Sequence, residues 1–117
     1  MLNFFKQLFQ GSNNDHISPQ DTYTELQSKT PPLLLDVRQQ DEYKAGHVAG
    51  ALLIPLDQLA KRQGELPKTR AIVCICRSGS RSGSASQLLR EAGFNVRNVR
   101  GGLMAWQAAG LPVVRGK

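Results

Sequence analysis

The stretch Ala71-Ile72-Val73-Cys74-Ile75, running directly into Cys76-Arg77-Ser78-Gly79-Ser80-Arg81, decides the fold of this chain. Five apolar residues in a row fit a strand covered on both faces, as in a buried parallel sheet. Beyond the loop, residues 81–92 read as a helix carrying Gln87-Leu88-Leu89-Arg90-Glu91, with Gly93 at its C′ position. Strand, short polar loop and helix in that order are the first parts of a βαβ unit. The same order sets Cys76 before the free backbone N–H groups of a helix start, at the positive end of the helix dipole. Both effects favour thiolate over thiol, and the thiolate is the nucleophile. Gly79, Arg77 and Arg81 add a seat for an anion.

Outward from this unit, strands and helices alternate. Ser18-Pro19-Gln20-Asp21 is a helix start, with a serine N-cap, proline at N1 and an acid at N3, and the helix is predicted to run to about Gln27. Pro31 and Pro32 end it and introduce the apolar run Leu33-Leu34-Leu35, closed by Asp36-Val37-Arg38. Asp41 to Ala45 reads as a short helix stopped by Gly46, Ala51 to Ile54 as a short strand stopped by Pro55, and Leu56 to Lys61 as helix. Asn95 to Val99 is a further strand, and Gly101-Gly102 opens a last helix that runs through Trp106 to about Ala109. This alternation predicts an α/β, doubly wound, mostly parallel sheet flanked by helices. In such sheets the functional site lies beyond the carboxyl ends of the strands, which is where Cys76 falls.

Length and composition fit one domain. At 117 residues, with 40% apolar and 21% charged residues, the chain can bury a real core without staples. The only cysteines, Cys74 and Cys76, are too close in sequence for an unstrained bridge, so a reducing, cytoplasmic setting is expected. The net charge of +6 suits steering of small anions into a cationic cleft. The basic residues are dispersed and not interleaved with aromatics, so no nucleic-acid partner is expected.

Residues 1–16 stand apart as an N-terminal amphipathic segment and linker, leaving 17–117 as the folded domain. Leu2, Phe4, Phe5, Leu8 and Phe9 share one helical face, and Asn3, Lys6, Gln7 and Gln10 the other. That pattern allows weak membrane-surface binding or self-association through residues 1–10. Lys6 and Gln7 break the apolar run, and no small-residue cleavage site follows, so it does not read as a signal peptide.

Several separated elements, taken together, resemble the single-domain rhodanese family of thiosulfate sulfurtransferases. They are Leu35-Asp36-Val37-Arg38; Glu42 with Gly46-His47-Val48-Ala49-Gly50-Ala51; Ile54-Pro55; the loop from Cys76 to Arg81; and Gly101-Gly102 with Ala105-Trp106. The resemblance covers roughly Ile17 to Val114 and implies a five-stranded, mostly parallel sheet. It implies that Cys76 accepts a sulfane sulfur from thiosulfate or a similar small anionic donor. The sulfur is held as a persulfide and passed to cyanide or a thiol, or to a dedicated protein acceptor. Residues Arg77, Ser78, Gly79, Ser80, Arg81 and Ser82 are then the substrate-binding loop. Their backbone N–H groups converge on the persulfide, and Arg77 and Arg81 bind the donor's sulfonate oxygens. Asp36 and Arg38 support the loop rather than react. No metal or cofactor is required. Four residues separate Cys76 from Arg81, against five in related phosphatases, and the smaller ring suits one sulfur atom better than a phosphoryl group.

Cys74, two residues before the end of its strand, reads as a buried core residue, and His47 as part of a structural turn rather than a general base. Trp106 and Met104 are both expected in the core.

Overall fold

The apolar runs are the strands of one sheet. The computed structural model describes residues 15–117. In chain order the elements are β1 (His16–Ile17), α1 (Pro19–Leu26), β2 (Leu33–Asp36), α2 (Gln40–Ala45), β3 (Leu52–Leu53) and α3 (Leu56–Arg62). A 3-10 turn (Gln63–Glu65), β4 (Ile72–Ile75), α4 (Ser80–Glu91), β5 (Val96–Val99) and α5 (Gly102–Ala108) complete the domain. The strand order is β1-β5-β4-β2-β3, and every pair is parallel. An isolated antiparallel bridge joins His47 to Val114.

Side chains alternate across a strand, so β4 feeds two cores. Ile72, Cys74 and Cys76 pack with Leu35, Leu59, Ala85, Leu89 and Val96 beneath α3 and α4. Val73 and Ile75 pack with Leu34, Val99, Leu103 and Trp106 beneath α1 and α5 on the other face. All four β4 residues are buried, as a continuous apolar run at the centre of the sheet requires.

The local signals act as expected. Ser18 Oγ accepts the Asp21 N–H at 3.0 Å, which caps α1. Gly93 takes a positive φ of 95° just past α4. Two details differ from the sequence reading. The strand at Ala51–Ile54 shrinks to Leu52–Leu53, because Ala51 N is drawn into a turn with Val48 O. A fifth strand lies one residue inside the expected linker: His16 pairs with Asn98, and Asp15 O accepts the Asn98 N–H at 2.9 Å. Two residues carry no readable period, so only pairing with β5 makes them a strand. The amphipathic segment at residues 1–10 lies outside the described residues. Among the described residues no helix is long and apolar enough to cross a membrane.

Candidate active site

Cys76 follows β4 directly, and Gly79 is the N-cap residue of α4 with φ 105°. The left-handed turn needs glycine, and a Cβ there would sit 3.5 Å from Gly101 N. The loop curls so that Gly79 N–H donates to Cys76 Sγ at 3.1 Å and the Ser82 hydroxyl lies 3.3 Å from the same sulfur. Cys76 is 1% exposed. Burial by itself would push its thiol up. Hydrogen bonds from the Ser82 side chain and from the backbone N–H groups of Ser82, Gly79 and Ser78 outweigh it and hold the thiol below its ordinary value. The converging donors are therefore those of Ser78, Gly79 and Ser82, a narrower set than the whole loop. Such an arrangement stabilises a sulfur anion, whether thiolate or the terminal sulfur of a persulfide.

The loop is held from two sides. At its back, Leu103 N–H donates to Cys76 O at 2.8 Å and Met104 N–H to Arg77 O at 3.0 Å, so the start of α5 is docked on the loop backbone. Gly102 permits this approach: a Cβ would lie 2.5 Å from Cys76 O and 2.6 Å from Arg77 C and O. Towards β5, Asn98 Nδ2 donates to Gly79 O at 3.1 Å and Asn98 Oδ1 accepts from Ser82 Oγ.

Asp36 and Arg38, expected to support the loop, brace the turn that follows β2. Asp36 accepts the Arg38 N–H and its guanidinium, the closest contact being 2.8 Å. Arg38 also donates to the carbonyls of Gly46 at 2.8 Å and Glu42 at 3.3 Å. Both side chains are almost wholly buried, so each removes the other's uncompensated charge.

The two loop arginines, both expected to bind the donor, are held differently. Arg81 is engaged bidentately with Glu42, at 2.7 and 2.8 Å. The Arg81 guanidinium beside Glu42 holds that carboxyl down at about 2, against the opposing effect of burial, with the Gln39 N–H adding to the pull. Arg81 thus ties α4 to α2. Arg77 is exposed and forms no ion pair among the described residues. Arg77 lines a groove of about 310 Å³ with Arg38, Glu42, Ala45, Leu103, Met104 and Gln107. Met104, expected in the core, is 53% exposed on this rim, while Trp106 is fully buried and its Nε1 donates to Pro112 O at 2.9 Å. Met104 lies two residues before Trp106, and a helix turns that far by about 200°, so the two face opposite ways. Ser78 and Ser80 are exposed at the mouth of the loop.

Cys74 is fully buried, and burial pushes its thiol up to about 12, so it is a core residue as expected. His47 is buried, stacks on Tyr43 at 3.6 Å and sits 2.7 Å from Tyr43 O, which anchors a turn and leaves it no part in the loop. Sequence reasoning missed two contributors, Glu42 as the partner of Arg81 and Asn98 as the partner of Ser82. Asn98 did leave a signal: two residues after Val96, it takes the strand face that Val96 turns into the core. Among the described residues no three His, Cys, Asp or Glu side chains come together as a metal site.

Comparison with known proteins agrees with this geometry. Residues 18–109 match the Rhodanese-like domain family. A sulfurtransferase of Allochromatium vinosum is 42% identical over 83 residues, covering 70% of this chain and 78% of that protein. An HTH-type transcriptional regulator of Mycobacterium tuberculosis is also 42% identical, over 85 residues, but this chain spans only 38% of its length. The crystal structure of a rhodanese-related protein from Thermoplasma volcanium superposes with a TM-score of 0.80 at 31% identity, covering 85% of this chain and 96% of that one. The sheet order, the cysteine loop at the carboxyl end of β4 and these matches together place the chain in the rhodanese-like family.

Proposed function

We propose that the protein is a sulfurtransferase that moves a sulfane sulfur from thiosulfate, or a similar small anion, through a persulfide on Cys76 to cyanide or a thiol. The observation that carries this reading is the Cys76 sulfur at the start of α4, with Gly79 N–H and the Ser82 hydroxyl aimed at it and its ionisation favoured. The Allochromatium relative, named a sulfurtransferase, supports it. The Cys76 thiolate attacks the outer sulfur of thiosulfate. A Cys76 S–S bond forms as the donor's S–S bond breaks, and sulfite leaves with the electron pair. The terminal sulfur of the persulfide anion then sits among the same N–H donors. Attack on that sulfur by cyanide or a thiolate releases the Cys76 thiolate. Arg77, free at the rim, attracts the anionic donor.

A second reading has the persulfide serve one dedicated protein acceptor, with thiosulfate turnover incidental. The exposed Arg77 and Met104 beside the loop favour it, since a charged and an apolar contact at the mouth suit a protein surface. Intact mass after brief exposure to thiosulfate tests the first half-reaction. One added sulfur atom, removable by a thiol and missing in Cys76→Ala, is expected; an unchanged mass in the native chain would refute the thiosulfate reading. Steady turnover with cyanide then favours the free enzyme, and a persulfide that cyanide discharges poorly favours the relay.

A further inference from the structure

The Ser82 hydroxyl has one proton and two acceptors. Its oxygen lies 3.3 Å from Cys76 Sγ and 2.5 Å from Asn98 Oδ1. Asn98 is not free to turn, because its Nδ2 donates to Gly79 O and this directs Oδ1 at Ser82. Asn98 is 5% exposed, and its neighbour across the sheet is Cys74. Water therefore has little access to this hydroxyl, and the sulfur and the amide oxygen are left to compete for it.

We propose that Asn98 is a positioning residue of the sulfur-transfer site. It competes with the Cys76 sulfur for the Ser82 proton, and so sets how readily Cys76 ionises, while its amide N–H holds the Gly79 carbonyl at the start of α4. In the thiol form Cys76 S–H donates to Ser82 Oγ, and Ser82 donates onward to Asn98 Oδ1. On ionisation the thiol proton leaves to solvent and the Ser82 O–H swings from Asn98 to the thiolate. Ser82 keeps its proton throughout, and no oxidant or reductant takes part. The consequence for catalysis rests on the sulfurtransferase reading; the competition itself does not.

The charged groups nearby are accounted for. Arg81, close enough to feel a charge on Cys76, is paired with Glu42, and Asp36 with Arg38. Arg77 is in the loop itself. Asp15, His16 and Arg90 line a groove with Asn98 on the far side. Among the described residues none of them hydrogen-bonds to the Ser82 hydroxyl, so Asn98 is the competitor that matters.

The test is the pH dependence of Cys76 alkylation by iodoacetamide, followed by mass on the full chain. Asn98→Ala and Asn98→Asp are each made in the native and the Ser82→Ala backgrounds. Asn98→Ala removes the competing acceptor while Gly83 N–H still holds Gly79 O at 3.0 Å, so the Cys76 midpoint is expected to fall by about half a unit to one unit. Asn98→Asp is a stronger acceptor and is expected to raise it by a similar amount. Both shifts should at least halve in the Ser82→Ala background. A loop merely loosened would lose its N–H donors in both variants and move both midpoints upward. Shifts of the same sign, or shifts untouched by Ser82→Ala, would overturn the proposal. Should Asn98→Asp not fold, the Asn98→Ala pair decides alone: a fall abolished by Ser82→Ala supports the competition, and no fall refutes it. Failure of the sulfurtransferase reading would appear separately, as no added sulfur from thiosulfate in the native chain despite the expected alkylation profile.

Discussion

Replacing Gly102 by alanine tests how the active-site loop is built. Gly102 has φ 62°, and a Cβ there would meet Cys76 O at 2.5 Å and Arg77 C and O at 2.6 Å. These are backbone atoms and have no rotamer to escape into. Restoring an ordinary carbon–oxygen contact of 3.4 Å requires a retreat of about 0.9 Å. The bonds from Leu103 N–H to Cys76 O, at 2.8 Å, and from Met104 N–H to Arg77 O, at 3.0 Å, would then both pass beyond useful length. Two backbone hydrogen bonds at about 1 kcal/mol each, with about 1–2 kcal/mol for a left-handed residue bearing a Cβ, predict a loss of about 3–4 kcal/mol. Trp106, the only tryptophan, lies in α5 and reports the transition in urea. The same retreat would free the loop, so Cys76 alkylation near neutral pH should slow as its thiol returns towards the ordinary value. A loss below about 1 kcal/mol with unchanged alkylation would refute the docking of α5 as the device that shapes the loop.

Glu42→Gln should destabilise the protein at pH 7 by about 1 kcal/mol, a figure kept small because the ion pair is partly exposed. Its carboxyl is held down at about 2, so the stabilisation is full above the unfolded value near 4.5 and is lost as pH falls towards 2. Urea titrations of both proteins at pH 7 and pH 2.5 check this, with the gap expected to narrow at the lower pH. Arg77→Glu should slow persulfide formation from thiosulfate severalfold by opposing the anion, and leave the melting temperature unchanged. Arg81→Glu should lower the melting temperature, because it faces Glu42 with a like charge; the two variants compared by mass and by thermal melt separate steering from bracing. In the native protein iodoacetamide at pH 8 should label Cys76 at least a hundredfold faster than Cys74, whose thiol is pushed up to about 12 by burial. Peptide mass mapping reads that ratio, and near-equal labelling would show that the β4 core opens.

Much of the architecture was open to reading from local physics. The run Ala71–Ile75 could only be a strand covered on both faces, and the cap at Ser18 and the glycine at Gly93 marked helix ends through backbone needs that hold in any fold. Cys76 followed from its place between strand and helix, since helix-start N–H groups and dipole are local properties. The parallel pairing of the strands came from alternation and handedness.

The partners of the polar side chains were not legible, because hydropathy does not say which carboxylate a given arginine will meet. Arg81 and Glu42 are 39 positions apart, and Ser82 and Asn98 are 16 apart. Two arginines in one loop look alike in sequence; one is tied to α2 and one faces the groove. Met104 reads as core by composition, yet the turn of α5 that buries Trp106 turns it outward. His16–Ile17 became a strand only because the edge of β5 was there to pair with it. By itself, then, the sequence determined the α/β layering, the place of Cys76 at a helix start and the glycine that its turn demands at Gly79, since each rests on interactions a few residues long. The tertiary structure alone decided which groups share a proton or an ion pair around that cysteine, because those contacts exist only once parallel strands distant in sequence lie side by side.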